Sequence, residues 1–112
     1  MSLETAPHYV YVIMRNNIDK NRQIAQACHA ALEAGRLFKN PSERINHLIV
    51  LSVKDKAQLN KFNRKANKAG IRTEMFFEPD WNMGNTAFAT EPIQGDARQL
   101  FSSLSLWRAV DE

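Results

Sequence analysis

The sequence predicts a single α/β domain over residues 8–109, a three-layer α/β/α sandwich around a mixed sheet of four to five strands. Three observations predict it. The runs His8–Arg15 and His47–Val53 are apolar without polar alternation, which reads as strands buried on both faces. Each is followed by a segment whose apolar residues recur at spacings of three and four, the pattern of an amphipathic helix. Two further strand-like runs are joined by a turn-rich loop and form a hairpin, so parallel and antiparallel pairing share one sheet.

In chain order, His8–Arg15 is almost entirely β-branched or aromatic. Asn16-Asn17-Ile18-Asp19 is a short loop ending in a capping aspartate. The first helix runs to about Phe38, with Ile24, Ala27, Cys28, Ala31, Ala34, Gly35 and Phe38 expected on its inner face. Small residues dominate that face, which brings helix and sheet close, and Lys39-Asn40-Pro41 ends it. Residues 42–46 make a turn before the second strand. The second helix spans about Asp55 to Ala69, with Leu59, Phe62, Ala66 and Ala69 as its apolar stripe and Gly70 at the stop position. Ile71–Phe77 is the third strand and Glu78–Gly84 a loop of turn formers carrying an exposed Trp81. Asn85–Glu91 is the fourth strand, closed by Pro92. Gly95 to about Ser102 fits a short helix with Ala97, Leu100 and Phe101 inward, Leu104–Trp107 a last strand, and residues 109–112 a tail.

A chain of 112 residues supports one core. Its 44% apolar and 24% charged content is ordinary for a globular domain, and no apolar run approaches the ~20 residues that span a bilayer. Residues 1–7 read as a flexible tail without the basic and apolar regions of a signal peptide, so the cytoplasm is the expected location. The single Cys28 excludes an internal disulfide and a thiolate cage, and His8, His29 and His47 lack ligand spacing, so no metal is expected. The net charge of +3 is unevenly spread. Lys54, Lys61, Arg64, Lys65 and Lys68 share one side of the second helix without interleaved acids to form i,i+4 pairs. A polyanion is therefore the partner to test first.

The opening of the first helix carries the sharpest signal. Lys20 and Arg22 lie in the first turn, where free N–H groups and the macrodipole are already positive and an acid would stabilise. Cations there cost a few tenths of a kcal/mol each. They are either aimed at an anion or splayed into water around Asp19. In such a sheet, sites form where strand C-termini meet the following loops and helix starts, and the first strand delivers Arg15, Asn17, Lys20 and Arg22 there. The direction of the third strand, left open by the sequence, decides what else reaches that rim. Glu78 and Asp80 lie two apart in the turn-rich loop, and Thr86 opens the next strand. A carboxylate near a lysine keeps its ionised form and can hold or deprotonate a water, while a hydroxyl can orient it. Cys28 and His29 point ~100° apart on a helix and cannot form an activated thiol pair. Cys28 is expected in the core and His29 half-buried beside it.

A strand ending in Ile-x-Arg, a short loop, then Lys-x-basic-x-x-Ala-Gln-x-x-His-Ala resembles the archaeal and eukaryotic type of peptidyl-tRNA hydrolase. That family's helix reads Lys-Gly-Lys-x-Ala-Ala-Gln-x-Ala-His-Ala. Laid on it without gaps, Lys20 takes the place of the catalytic lysine and Arg22 that of the second lysine. Ala25, Gln26, His29 and Ala30 match directly, while Asn21 stands for a glycine and Ile24 for an alanine. The resemblance continues through the basic helix ending in Ala69-Gly70-Ile71 and the hairpin closing at Pro92. It departs in the second half of the site. The family's Asp-Ala-Gly-x-Thr places its aspartate on Glu78 and its threonine near Asn82, where it is missing. The later functional threonine falls on Thr86, after a turn compressed to Met83-Gly84-Asn85, and Asn17 replaces an aspartate.

The resemblance implies hydrolysis of the ester between a peptide and the 3′ end of tRNA, without metal or organic cofactor, by a homodimer. Lys20 would hold the tRNA end or stabilise the oxyanion. Glu78, or else Asp80, would activate water, and Thr86 would position water or ester. Arg15, Asn17, Arg22 and His29 would contact substrate, and Lys61 and Lys65 on the basic helix would follow the phosphate backbone. Two other readings share the fold: a non-catalytic module binding RNA or protein, and a hydrolase of another small ester or amide.

Overall fold

Tyr11, Val12, Ile13 and Met14 are all buried because their strand, β1 (Tyr9–Arg15), lies in the middle of the sheet. The computed structural model describes residues 6–109, so the expected tail residues 1–5 and 110–112 lie outside the described residues. Ala6 is tied down, its carbonyl accepting from Gln94 Nε2 at 3.4 Å. β1 pairs in parallel with β2 (His47–Val53) and antiparallel with β4 (Gly84–Thr90). β3 (Thr73–Glu78) lies antiparallel beside β4, and β5 (Ser105–Leu106) antiparallel beside β2, in the order β3-β4-β1-β2-β5. Two antiparallel steps make β3 parallel to β1. The open question of direction is thereby settled: the Glu78 end of β3 and the Arg15 end of β1 share one rim, with the start of β4 between them.

Helices cover both faces. α1 (Lys20–Leu37) sets Ala30 and Ala34 against Val12, Met14, Ala87 and Ala89. α2 (Lys56–Lys68) and a 3-10 segment, Gly95–Phe101, close the other face. There Leu59, Phe62, Ala66 and Phe101 pack with Tyr11, Ile13, Leu51, Val53 and Phe88. Fully burying side chains such as Leu59 and Phe88 contributes about 1.5–3 kcal/mol each. Both helices start on an aspartate cap: Asp19 accepts from the Arg22 N–H at 3.0 Å and Asp55 from the Gln58 N–H at 2.9 Å. Gly70, at φ +88, ends the second in a conformation costly for any other residue.

Four expectations need correction. The inner face of α1 is Gln23, Gln26, Ala30 and Ala34, flanked by Ala27, Ala31 and Phe38, whereas Ile24, Cys28 and Gly35 are exposed. The helix is turned toward two glutamines that can be buried because their amides are bonded, a condition apolar spacing does not encode. Cys28 is consequently a surface thiol. On α2 the stripe ends at Ala66, and Ile71 rather than Ala69 completes it. The 95–101 segment is a 3-10 helix with Ala97 exposed, leaving Leu100 and Phe101 to pack inward. β2 is also less enclosed than expected: Leu48 is exposed, and β5 pairs only with Leu51 and Ser52.

Candidate functional site

The chemistry-bearing residues gather where α1 crosses the β3–β4 hairpin. Phe76 pairs with Ala87 and Phe77 with Asn85, so Thr86 is left without a partner on β3 as the extra residue of a β-bulge. A bulge re-aims a side chain. Asn85, before it, reaches α2 and donates to Asn60 Oδ1 at 3.0 Å, while Thr86 turns to α1 with Ala87. The Thr86 hydroxyl, fully buried, donates to Gln26 Oε1 at 2.8 Å. Gln26 Nε2 in turn donates to Glu78 Oε1 at 3.2 Å. A carboxylate only accepts, so the amide N–H must face Glu78 and its oxygen Thr86. Glu78 and Thr86 thus belong to one chain of bonds with Gln26 at its centre.

That chain is one rung of a series along α1. Arg22, Gln26 and His29 lie four and three residues apart and share a face. The Arg22 guanidinium lies 4.0 Å from the centre of the Trp81 ring. Gln26 meets Glu78, and the His29 ring stacks on Phe76 at 4.5 Å with 6° between planes. The hairpin between these contacts is unusual: Trp81 and Asn82 both have left-handed backbone, at φ 54 and φ 56. Asp80 is exposed at its start.

Arg15 anchors the hairpin from below. Its guanidinium donates to the carbonyls of Met83 at 2.9 Å and Asn85 at 3.3 Å, and to Asn17 Oδ1 at 2.7 Å. Lys20 stands at the other side of the helix start, its ammonium 5.7 Å from the centre of the Trp107 ring. Six residues separate it from Gln26, about 9 Å along the axis. Trp107 Nε1 donates to Gln23 Oε1 at 2.8 Å, and Gln23 Nε2 donates to the carbonyls of Asn16 and Ile18. The loop that presents Lys20 is therefore braced through a buried glutamine. Lys61 and Lys65 are exposed on α2, away from this cluster.

The structure thus joins Glu78 and Thr86, and sets Arg15, Asn17, Lys20 and Arg22 around the same rim. Gln23, Gln26, Trp81 and Trp107 are the residues that sequence reasoning left without a role. Gln26 lies inside the helix motif, but one of its two partners, Thr86, comes from a bulge no spacing rule reveals. Among the described residues no three His, Cys, Asp or Glu side chains gather as metal ligands would, and no helix is long and apolar enough to cross a membrane.

The family model Peptidyl-tRNA hydrolase PTH2 matches residues 8–106. Among solved structures, a protein of unknown function from Agrobacterium tumefaciens strain C58 is similar at a TM-score of 0.61 and 11% identity. The match covers 93% of this chain and 100% of that one, and at such identity it speaks for the fold alone. No curated protein sequence matches the chain.

Proposed function

The chain belongs to the peptidyl-tRNA hydrolase PTH2 family, and from that premise we propose that it hydrolyses the ester joining a peptide to the 3′ end of tRNA. The reading is carried by one observation: Gln26 links the half-buried carboxylate of Glu78 to the buried hydroxyl of Thr86. A carboxylate held in place is what a general base needs.

In the proposed reaction Glu78 takes a proton from a water as that water's oxygen attacks the ester carbonyl. When the tetrahedral intermediate collapses, the bond to the ribose oxygen breaks and that oxygen receives the proton. A free peptide carboxyl and a tRNA 3′ hydroxyl result. Thr86 is fully buried, so it acts as a positioning residue through Gln26 and does not itself touch water. Lys20 holds the anionic tRNA end at the helix start, where the first-turn N–H groups add to its charge. Arg15 keeps the hairpin against β1, and Asn17, Arg22 and His29 line the approach. The exposed cations of α2, Lys61 and Lys65 among them, take the phosphate backbone. Such a substrate places the reaction in the cytoplasm.

Hydrolysis of purified peptidyl-tRNA by wild type and Lys20→Ala tests the assignment. Losing a charge-assisted contact lowers kcat/KM by about 10- to 100-fold. Equal rates, or no wild-type rate above background, would overturn it. Asn82, where the family motif has a threonine, favours a second reading as a tRNA-binding module without turnover, which wild-type binding without hydrolysis would select.

A further inference from the structure

We infer that Trp81 is a stacking platform for the unpaired 3′-terminal base of tRNA, an inference that rests on the proposed substrate and names a subsite for it. The indole is 62% exposed, large for an aromatic side chain with no core to fill. It is nonetheless held in place. Trp81 and Asn82 take consecutive left-handed backbone conformations that L side chains rarely adopt. The Arg22 guanidinium covers the ring at 4.0 Å from its centre, and Asp19 steadies that guanidinium with Oδ2 3.5 Å from Nε. A backed ring leaves a π-face open to a ligand, and the cation beside it suits an adjoining phosphate.

Position selects the ligand. The scissile ester sits on the same ribose as the terminal base, so a group that grips the base must lie within one nucleoside of the hydrolytic carboxylate. Trp81 follows Glu78 by three residues, at most ~11 Å of backbone. Stacking on an indole accepts any base, and proteins that take single-stranded ends use aromatic side chains in this way. Trp81 falls on the unspecified position of the Asp-Ala-Gly-x-Thr motif, so the motif itself assigns it no role.

The test is equilibrium binding of the full chain to deacylated tRNA and to the same tRNA lacking its 3′-terminal nucleotide, for wild type, Trp81→Ala and Trp81→Phe. Wild type should bind the intact tRNA about tenfold more tightly than the trimmed one. Trp81→Ala should abolish that preference and Trp81→Phe should keep most of it. A preference undiminished in Trp81→Ala, no preference in wild type, or tighter binding after the ring is removed would each overturn the inference. Because no ester is present, the result is independent of turnover. An enzyme that hydrolyses peptidyl-tRNA yet ignores the terminal nucleotide keeps its function and loses the platform. One that prefers the intact end but hydrolyses nothing keeps the platform and loses the esterase.

Discussion

Gln26 donates to Glu78 across 3.2 Å and so ties the middle of α1 to the last residue of β3, 52 positions away in the chain. With its oxygen accepting from Thr86 at 2.8 Å, the amide cannot turn over without setting that oxygen against the Glu78 carboxylate and losing the bond between them. Gln26→Ala frees Glu78 and leaves the buried Thr86 hydroxyl only the Phe76 carbonyl at 3.4 Å. We expect a loss of about 1–3 kcal/mol in urea unfolding. Peptidyl-tRNA turnover should fall by about 10²-fold, as misplacing a catalytic group commonly does, with tRNA affinity unchanged. Unaltered turnover would mean that the orientation of Glu78 is immaterial.

Thr86 offers a finer probe of the same chain. Thr86→Val keeps shape at the bulge and removes only the hydroxyl, leaving Gln26 Oε1 without its donor at a cost of about 1–3 kcal/mol. Thr86→Ser retains the donor. Turnover should drop in the valine variant and largely survive in the serine variant, each normalised to the folded fraction measured by circular dichroism. Equal rates in the two would assign Thr86 to packing alone.

The braced loop makes a separate prediction about Lys20. Gln23 is 1% exposed, accepts from Trp107 at 2.8 Å, and donates to the carbonyls of Asn16 and Ile18. Gln23→Leu buries apolar volume there but strands an indole N–H and two loop carbonyls, costing about 1–3 kcal/mol. Amide exchange of residues 16–22 should accelerate in this variant while that of β1 does not. If both stay unchanged, the loop holds its shape without Gln23.

The fold was legible because its signals are collective. β1 is central and reads as an unbroken apolar run; Asp19 and Asp55 cap helices that begin one residue later; Gly70 stops the second. What escaped are features that hang on single contacts. Spacing counts Ile24 and Cys28 as apolar and Gln23 and Gln26 as polar, so it places Ala27, Ala31, Ala34 and Phe38 inward correctly but rotates the face toward Ile24, Cys28 and Gly35. The true inner face depends on partners such as Trp107 and Thr86, distant in sequence. The Thr86 bulge is a one-residue slip between two strands, and the Arg22–Trp81 contact depends on a left-handed turn built without glycine. Both lie where the sequence departs from its family motif, which is also where pattern carries least.

The charge on α2 yields the last prediction. Lys61, Arg64, Lys65 and Lys68 are all exposed, and Lys65 lies 5.2 Å from the centre of the Phe62 ring. Reversal by Lys61→Glu with Lys65→Glu loses little stability, since a surface cation–π contact is worth about 0.5–1 kcal/mol. If these lysines neutralise phosphates, each releases counterions on binding. The double variant should bind tRNA more weakly, with a log–log salt slope shallower by roughly two units. Net charge alone would produce part of the weakening, so the control is Lys39→Glu with Arg44→Glu. Those exposed residues follow the C-terminal end of α1, far from the rim that carries Lys20, and the pair lowers the net charge equally. A salt slope changed by the α2 pair and not by the control places tRNA on that helix. The same change in both reduces the effect to long-range attraction, and no change in either removes α2 from the interface.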